Sequence, residues 1–432
     1  MDKLSDLNFN RLSAICNSKI TAELISDAWK RALINRLFTT AILTCLLFYT
    51  ASAQDTRDTA AKVLQTKTGS INVERLAKVN QPWGMSFLPD GRLLITEKSG
   101  NLRTFTKGKL SEPITGVPKV VFHGQGGLLD VEIDPDFARN NLVYLYYTEA
   151  AAKQPDVKSD KPDPRLGDGQ ELDHVTLKGG AVARGRLEGS SLKDIKVIWR
   201  QEPKQIGRGH FGGRLVFAPD GKLFITSGDR QRFEPAQDSS ATLGKIIRIN
   251  SDGSIPNDNP FVNKKGARPD VWSSGHRNPL GAAINPASKK LWIHEMGPWH
   301  GDELNIPDAG KNYGWPVVSN GSNYDGSKIP DHDARPEFAP PVYYWHPAIS
   351  PSGLAFYTGN LFSKWQGNIL LGGLSSEALI RLNLKGDQVI GEERIAINRR
   401  VRDVIQAPDG SVWILTDYKD GELLRLSPVV AK

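Results

Sequence analysis

Short apolar segments separated by turn residues recur about six times along this chain. Each copy has an apolar strand pattern, a turn of the Pro-Asp-Gly type and a second strand pattern rich in Ile, Leu, Trp and Tyr. The copies lie at 87–105, 133–149, 217–229, 284–297, 356–373 and 406–426. Proline presets the backbone angle of such a turn and glycine tolerates a positive φ, so each copy predicts a β-hairpin.

The spacing of these hairpins predicts how they are arranged. Six units over about 360 residues give roughly 60 residues each, which leaves room for long loops. Radial repetition of four-stranded sheets protects their edges and builds a central channel. We therefore predict an all-β fold, a six-bladed β-propeller of four-stranded antiparallel sheets around a central channel, formed by residues 71–432 as a single domain. The alternative is a β-sandwich that contains several similar hairpins.

Two segments are expected to lie outside the sheets. Residues 150–177 are polar, with few apolar side chains to bury, and they predict a surface loop inserted in the second unit. Residues 54–70, which precede the propeller, are predicted to be an N-terminal linker.

The first 53 residues have the pattern of a secretory signal peptide. Lys30, Arg31 and Arg36 precede an apolar run at 37–50, and the small residues at 51–53 form a cleavage site. The run is shorter than the roughly 20 residues that a membrane span requires, so no stable membrane insertion is expected. We predict cleavage after Ala53 and a periplasmic or secreted protein. Retention of the segment as an anchor, or a start of translation downstream of Met1, are the alternatives.

Cysteine positions and net charge narrow the function classes. Cys16 and Cys45 both lie in the leader, so the mature chain would contain no disulfide, thiolate metal site or cysteine nucleophile. The formal net charge of the 432-residue chain is +7, and no basic run of the nucleic-acid-binding type occurs. Nucleic acid is therefore not an expected partner, and the positive surplus suits a local anionic ligand.

A histidine among glycines is the first candidate for chemistry. His210 lies in RGHFGGR at 208–214, directly before the third hairpin. Small neighbours let a ligand approach closely, and a neutral imidazole can accept a hydroxyl proton at physiological pH. The alternative is a histidine that only makes a structural hydrogen bond. A second glycine-rich stretch, HGQGGLLD at 123–130, is either a turn into a strand or a ligand contact.

Arginines and oxygen ligands form the other candidate clusters. Arg277 offers a fork of donors that suits carboxylates, and Arg400 and Arg402 would share one face of a strand. Salt bridges at the rim and a solvated charge run are the alternatives. The Gly-Pro turn in EMGPWHGDELN at 295–305 offers backbone carbonyls beside acidic side chains, which are the hard oxygen ligands that calcium takes.

Taken together, these clusters resemble the soluble aldose sugar dehydrogenases that use pyrroloquinoline quinone (PQQ). The resemblance covers residues 80–426. Its motifs are GQGGLLDVEIDPDF, GHFGGRLVFAPDG, GHRNPLG, EMGPWHGDELNIPDAGKNYGWP and RVRDVIQAPDG. The resemblance implies that His210 takes the proton of the anomeric hydroxyl while hydride passes to the quinone. It also implies two sets of ligands. Those for PQQ are Gln125, Arg277, Asn278, Arg400 and Arg402, with Trp345 as an aromatic neighbour. Those for calcium are the Gly297 and Pro298 carbonyls at the cofactor, and Glu303 with the Tyr313 carbonyl at a second, structural site.

The chemistry of the cofactor agrees with this set. PQQ is a planar tricarboxylate with an ortho-quinone, so arginines suit its carboxylates and calcium can polarise the quinone carbonyl. Two positions depart from the family pattern. Gly209 stands where relatives often have an acid or amide, which leaves Asp229 as a candidate to orient His210. Ser375 stands where relatives have a lysine, with Arg381 as the candidate to replace that charge.

We predict a PQQ- and calcium-dependent enzyme that oxidises aldoses at C1 to lactones and passes electrons to an external acceptor. A monomer or a homodimer is expected. A calcium-dependent propeller lactonase is one alternative, but it would have no use for Arg277, Arg400 and Arg402. A propeller that binds sugars or proteins without a cofactor is the other alternative, and Ser375 is the feature that favours it.

Overall fold

The computed structural model describes residues 62–156 and 176–429, and the statements that follow concern these residues. The predicted leader at 1–53, including Cys16 and Cys45, lies outside them. So does most of the predicted insertion at 150–177, of which residues 151–156 and 176–177 are described and belong to no strand.

The described chain forms 25 β-strands in six antiparallel sheets, here called blades. Its first strands are β1 (Lys62–Thr66) and β2 (Gly69–Val79). Blade 1 contains β3 (Pro82–Phe87), β4 (Leu93–Glu97), β5 (Asn101–Thr106) and β6 (Lys109–Leu110). Blade 2 contains β7 (Leu128–Ile133), β8 (Leu142–Ala150), β9 (Lys178–Glu188) and β10 (Ser191–Arg200), with helix α1 (Phe137–Asn140) between β7 and β8. Blade 3 contains β11 (Gly212–Phe217), β12 (Leu223–Ser227), β13 (Lys245–Ile249) and β14 (Val271–Ser274).

The remaining blades follow in the same order. Blade 4 contains β15 (Pro279–Ile284), β16 (Leu291–Glu295), β17 (Asp302–Asn305) and β18 (Tyr343–Trp345). Blade 5 contains β19 (Pro351–Phe356), β20 (Ile369–Gly373), β21 (Ala378–Lys385) and β22 (Gln388–Ala396). Blade 6 contains β23 (Val401–Gln406), β24 (Val412–Thr416) and β25 (Gly421–Pro428) together with β2 and β1. Short 3₁₀ turns occur at Glu234–Ala236, His332–Ala334 and Ser363–Trp365.

The two ends of the propeller meet in blade 6. Strand β2 pairs with β25 in antiparallel register, with Val73 opposite Leu426, so the N-terminal strand closes the ring. The six-bladed propeller of antiparallel sheets is thus confirmed, and each predicted hairpin spans the turn between the first and second strands of one blade. Pairing across the ends leaves no open edge at the closure.

Blade 6 also corrects the linker prediction for 54–70. Residues Lys62–Thr66 form strand β1, which pairs with β2 as a fifth strand of the sheet, and β2 itself begins at Gly69. These residues form a strand because buried and exposed side chains alternate along them: Leu64 packs against the core between blades 5 and 6, while its neighbours Val63 and Gln65 are exposed. Residues 54–61 lie outside the described residues.

The first strands of the blades surround the central channel. Strands β3, β7, β11, β15, β19 and β23 all contribute side chains to a channel cavity of about 490 Å³. Between neighbouring blades the apolar faces form separate cores; Trp292, Leu304, Trp345 and Leu371, for example, fill the space between blades 4 and 5. Each large apolar side chain buried in this way contributes about 1.5–3 kcal/mol of transfer free energy.

A buried arginine ties three blades together across the channel. Arg214 of β11 forms ion pairs with Asp130 of β7 (Nη1–Oδ1, 3.1 Å) and with Asp403 of β23 (Nη2–Oδ1, 2.8 Å). Its guanidinium carbon lies 4.2 Å from the ring centroid of Trp83, at the side of a second, smaller cavity. The arginine therefore lies between the two cavities of the channel. In the described part of the chain, no helix has the length and apolar character to cross a membrane.

Candidate active site

His210 lies in the loop that leads into the first strand of blade 3, directly before Phe211 and Gly212, which line the smaller channel cavity. Its φ of 51° is in the left-handed region, and its side chain is buried. The ring Nδ1 lies 2.7 Å from Asp229 Oδ1, and the backbone N–H of His210 donates to Gln125 Oε1 at 2.9 Å. The structure thus brings together His210, Gln125 and Asp229, the residue suggested to orient the imidazole in place of a side chain at position 209.

Asp229 is itself held by two further donors. The indole N–H of Trp315 donates to its Oδ2 at 2.7 Å, and the backbone N–H of Gln231 donates to its Oδ1 at 2.8 Å. Burial alone would raise the pKa of Asp229, but its interactions with His210, with Arg277 and with the Gln231 N–H together lower it. Asp229 is therefore an acceptor that fixes the His210 tautomer, with a proton on Nδ1 and a lone pair on Nε2.

The protonation state of His210 follows from its surroundings. Burial, and next the positive charge of Arg277, lower the pKa of His210 below that of an ordinary histidine. The imidazole is consequently neutral near pH 7. A neutral imidazole with Nε2 free can accept a proton, which is the function of a general base.

A second buried arginine holds the backbone of the His210 loop. Arg230 donates to the carbonyl oxygens of Gly209 (2.9 Å), Gly207 (3.0 Å) and Lys178 (2.8 Å), and its guanidinium carbon lies 3.8 Å from the ring centroid of Phe211. Burial lowers the pKa of Arg230 to about 9, so the side chain remains a cation at neutral pH. Sequence reasoning did not identify this residue, because its ligands are backbone atoms.

A cavity of about 190 Å³ adjoins the His210 loop and is rich in cations. Its lining includes three residues that the sequence had suggested, Gln125, Arg400 and Arg402, and a fourth, Lys98, that it had not. Trp83, Phe211, Gly212, Leu280, Met296, Ser350 and Leu374 complete the lining. Both arginines pair with Asp417, Arg400 through Nε at 3.2 Å and Arg402 through Nη2 at 3.0 Å. Burial would raise the pKa of Asp417, but Arg402 and then Arg400 lower it to about 2.

Lys98 is the additional cation of this cavity. Its Nζ donates to the Gly124 carbonyl at 2.9 Å and lies 5.7 Å from the ring centroid of Phe122. Burial, and next the charge of Arg402, lower its pKa to about 8. Across 62–156 and 176–429, no carboxylate forms an ion pair with Lys98. A cation without a carboxylate partner, facing other cations, favours an anionic ligand.

Arg277 and Asn278 present unused donors beside the same loop. Arg277 Nη1 donates to the Met296 carbonyl at 2.9 Å, and Asn278 Oδ1 accepts from the Gly212 N–H at 3.2 Å. The Arg277 Nε and Asn278 Nδ2 atoms are buried and have no hydrogen-bond partner among the described residues. Because buried donors are normally satisfied, these two atoms fit a ligand that brings acceptor oxygens.

The structure places Trp345 away from this site, which corrects its predicted position beside the cofactor. Trp345 lies in β18, the outer strand of blade 4, and is buried in the core between blades 4 and 5. Its indole N–H donates to Glu392 Oε2 at 2.9 Å. Successive side chains of a strand point to opposite faces of its sheet, and that of Trp345 points to the face that packs against blade 5.

Arg381 likewise does not supply the charge that Ser375 lacks. Its guanidinium donates to Glu393 Oε2 (Nη2, 2.7 Å), to Asn368 Oδ1 (2.6 Å) and to Asn383 Oδ1 (2.7 Å) inside blade 5. Strand β21, which carries it, is third in its sheet and therefore distant from the channel. Lys98 is the cation that faces the cavity instead.

The Gly-Pro turn follows β16 at the same end of the propeller. Asp302 holds this turn through its Oδ1, which accepts from the Gly297 N–H at 3.0 Å, while its Oδ2 accepts from Ile349 (2.8 Å) and Ser350 (2.7 Å). Burial raises the pKa of Asp302 to about 6. The Pro298 carbonyl accepts a long hydrogen bond, 3.3 Å, from Gly301, so it retains capacity for a cation.

Behind the turn, two carboxylates lie in the core of blade 4. Glu303 of β17 is directly opposite Glu295 of β16, and both are buried. Burial, and next the charge of Glu295, raise the pKa of Glu303 well above its ordinary value. The buried Asn305 Oδ1 has no hydrogen-bond partner in the part of the chain that the structure describes. The Tyr313 side chain lies nearby, its ring stacked at 4.9 Å on His276, which bonds Glu295. Paired carboxylates and a free amide oxygen fit a calcium ion.

Comparison with known proteins places the chain among sugar dehydrogenases. A family model described as Glucose / Sorbosone dehydrogenase matches residues 79–425. The chain is similar to the aldose sugar dehydrogenase YliI of Escherichia coli (strain K12), with 42% identity over 379 residues that cover 85% of this chain and 96% of that protein.

Two solved structures have the same architecture. The soluble aldose sugar dehydrogenase of Escherichia coli, in its apo-form, superposes with a TM-score of 0.74 at 41% identity, covering 83% of this chain and 100% of that one. The PQQ-bound form of the aldose sugar dehydrogenase of Streptomyces coelicolor gives a TM-score of 0.64 at 27% identity, covering 83% and 98%.

Proposed function

This chain belongs to the glucose/sorbosone dehydrogenase family, and we propose that it oxidises aldose sugars at C1 to lactones with PQQ and calcium. The observation that carries the proposal is the His210–Asp229 pair in a loop whose next residues, Phe211 and Gly212, line a cation-rich cavity. The pair supplies a neutral base, and the cavity supplies charges for an anionic cofactor.

The residues around the cavity suit PQQ in number and in kind. Lys98, Arg277, Arg400 and Arg402 would hold its three carboxylates, with Gln125 and Asn278 as amide contacts. The unpartnered donors Arg277 Nε and Asn278 Nδ2 support this fit, because both want an acceptor. Asp417 neutralises part of the arginine charge, and Lys98 adds a further positive charge, so the cavity keeps a positive surplus for an anion.

Calcium would take two positions. The carbonyls of Gly297 and Pro298 would hold the ion that contacts the cofactor, on a turn that Asp302 stabilises. Glu303 and the Tyr313 carbonyl, with Glu295 and Asn305 nearby, would hold a structural ion inside blade 4. Oxygen donors of mixed carboxylate and carbonyl type are the ligands that calcium prefers.

In the reaction, His210 removes the proton of the anomeric hydroxyl. When bound, PQQ supplies the hydride acceptor for the hydrogen on C1, and calcium polarises the quinone carbonyl that receives it. The Nε2 lone pair of His210 takes the hydroxyl proton as the C1–H bond breaks, so the lactone carbonyl forms without a protonated intermediate. Asp229 keeps Nε2 unprotonated beforehand and stabilises the imidazolium afterwards.

The proposed context is export. A leader at 1–53, cleaved after Ala53, would place the enzyme in the periplasm or outside the cell, where aldoses are substrates and an external acceptor reoxidises the cofactor. The name of the Escherichia coli relative, an aldose sugar dehydrogenase, supports the substrate class.

Reconstitution tests the proposal directly. The purified protein, freed of metal and cofactor, should reduce an artificial dye with glucose or another aldose once PQQ and calcium are added. EDTA present during reconstitution should prevent the activity. If folded protein, supplied with both components, reduces no dye with any aldose, the proposed function is wrong.

A further inference from the structure

The carboxylate of Glu295 contacts two groups of residues, one around Glu303 and one around Arg277. On one side it lies directly across the sheet from Glu303, and Asn305 Nδ2 donates to both residues, at 3.1 Å to Glu295 Oε1 and 3.4 Å to Glu303 Oε2. Like charges placed opposite each other in a sheet repel, and burial strengthens the repulsion. A divalent cation at Glu303 would remove that repulsion.

On its other side, Glu295 holds the loop that carries the candidate cofactor ligands. Its Oε2 accepts from the backbone N–H of Arg277 at 2.5 Å, and its Oε1 accepts from His276 Nδ1 at 2.9 Å. His276 is fully buried, its Nε2 shares a hydrogen bond with Ser273 Oγ at 2.9 Å, and its ring stacks on Tyr313. The Arg277 carbonyl in turn accepts from the Asp229 N–H at 2.8 Å. Glu295 therefore connects the candidate calcium ligand Glu303 to the loop that carries Arg277.

We propose that Glu295 is a positioning residue that couples calcium binding beside Glu303 to the affinity of the chain for PQQ. The inference rests on the proposed function. With a cation at Glu303, Glu295 stays aimed at the 276–277 backbone, and the Arg277 side chain is held ready for a carboxylate. Without the cation, the two carboxyl groups are linked through the shared Asn305 amide, and Glu295 holds the loop less firmly.

The coupling is reciprocal by thermodynamic necessity. If calcium at Glu303 strengthens PQQ binding by some factor, PQQ strengthens calcium binding there by the same factor. Coupling of this kind changes affinity by about 5- to 150-fold in proteins. The coupling acts through an amide hydrogen bond and a backbone position, so it requires no contact between Glu303 and PQQ.

A double-mutant cycle on the full chain tests the proposal. The PQQ affinity of metal-saturated protein is measured by fluorescence titration for the wild type, Glu303→Gln, Glu295→Gln and the double variant. We expect Glu303→Gln to weaken PQQ binding about fivefold or more, and to have less than about a twofold further effect when Glu295 is already Gln. Equal effects of Glu303→Gln in both backgrounds would overturn the coupling.

Two further measurements separate positioning from general damage. Hydrogen exchange of the Arg277 amide should slow when calcium is added to the wild type and should not slow in Glu303→Gln; equal slowing in both would contradict the proposal. Should Glu295→Gln fail to fold, Glu295→Asp takes its place, because it keeps the charge and shortens the reach. It should likewise remove the effect of Glu303→Gln.

The matched control is Glu132→Gln at the larger cavity of the channel. Glu132 is a half-buried carboxyl whose pKa burial raises to about 8, and no arginine among the described residues forms an ion pair with it. Its replacement should leave PQQ affinity and Arg277 exchange unchanged, and a loss as large as that of Glu303→Gln would overturn the proposal. Absence of PQQ binding by the folded wild type would overturn the proposed function itself. Binding with additive variants would overturn only the coupling.

Discussion

Single residues at the site differ from their ordinary counterparts because of burial and a few charges. His210 is neutral because burial and Arg277 lower its pKa, while Asp229 orients it and is kept ionised by it. Burial and the charge of Arg402 likewise lower the pKa of Lys98, and Asp417 pairs with both Arg400 and Arg402. The chemistry of each side chain therefore depends on two or three neighbours, which can be changed one at a time.

Replacement of His210 by alanine should remove the base and little else. We expect kcat to fall by about 10²–10⁴, the usual contribution of a general base, while PQQ still binds because its candidate ligands are intact. The measurement is dye reduction at saturating aldose beside a PQQ titration. An unchanged kcat would exclude His210 as the base.

Replacement of Asp229 by asparagine should change both rate and pH dependence. The base is active when unprotonated, so kcat/KM rises with pH through the pKa of His210, which burial already holds below the ordinary value. Asp229 raises that pKa, so its loss should move the acid limb to lower pH, while the wrong tautomer lowers the plateau by about 10²-fold or more. A pH profile identical to that of the wild type would show that Asp229 does not act through His210.

Replacement of Lys98 by methionine should weaken PQQ binding. Charge-assisted contacts of this type contribute about 1.5–3 kcal/mol, or roughly 10- to 100-fold in Kd. Because the pKa of Lys98 is about 8 in the free protein, wild-type affinity should decline above that pH and the variant should lack this decline. Lys109→Met, an exposed lysine of the same blade, is the control and should bind PQQ normally.

At the scale of elements, the site is built from two kinds of loop. Some precede the first strand of a blade and carry Gln125, His210, Arg277 and Arg400; others follow the second strand and carry Lys98, Asp229, Pro298 and Asp417. In an antiparallel pair, the start of one strand lies beside the end of the next, so both kinds of loop meet at one end of the channel. This rule would have found Lys98, which follows β4 as Asp229 follows β12.

Replacement of Arg230 by methionine should loosen the His210 loop. Its three carbonyl contacts would be lost, and a misplacement of the base by about 1 Å can cost about 10²-fold in rate. We expect lower kcat and faster hydrogen exchange at residues 207–212. Arg248→Met is the control, since Arg248 is also buried, stacks on Trp272 and lies in the same blade. It should affect stability without lowering the kcat of folded protein; equal losses in kcat would contradict the bracing role.

At the scale of the whole molecule, two sets of contacts join distant parts of the chain: the strand pairing that closes the ring and the ion pairs of Arg214 in the channel. β2 and β25 join the chain ends, while Arg214 joins blades 2, 3 and 6 through Asp130 and Asp403. Burial raises the pKa of both aspartates, that of Asp130 to about 6. The arginine is the group that makes two buried carboxylates tolerable in the channel.

Replacement of Arg214 by methionine should destabilise the propeller by about 3–5 kcal/mol, the usual effect of leaving buried charges unpaired. Both aspartates have folded-state pKa values above the unfolded ones, so their protonated forms favour the fold. The difference in free energy of unfolding between the wild type and the variant should therefore be large above about pH 6 and shrink toward pH 4. Urea unfolding at several pH values measures this loss of stability, with the half-exposed Arg92→Met as the control. A deficit that does not vary with pH would argue against this charge account.

The sequence alone determined the repeated hairpins, the propeller and the loops that carry His210, Arg277 and Arg400, because turn chemistry and strand alternation are local properties. Only the tertiary structure decided which side chains meet. Asp229 bonds His210 and Trp315 bonds Asp229, each from elsewhere in the chain; Lys98 enters the cavity from blade 1, and Trp345 lies in the core between blades 4 and 5. The physical reason is that a strand presents alternate residues to opposite faces, and which face borders the channel is settled only when six blades close into a ring.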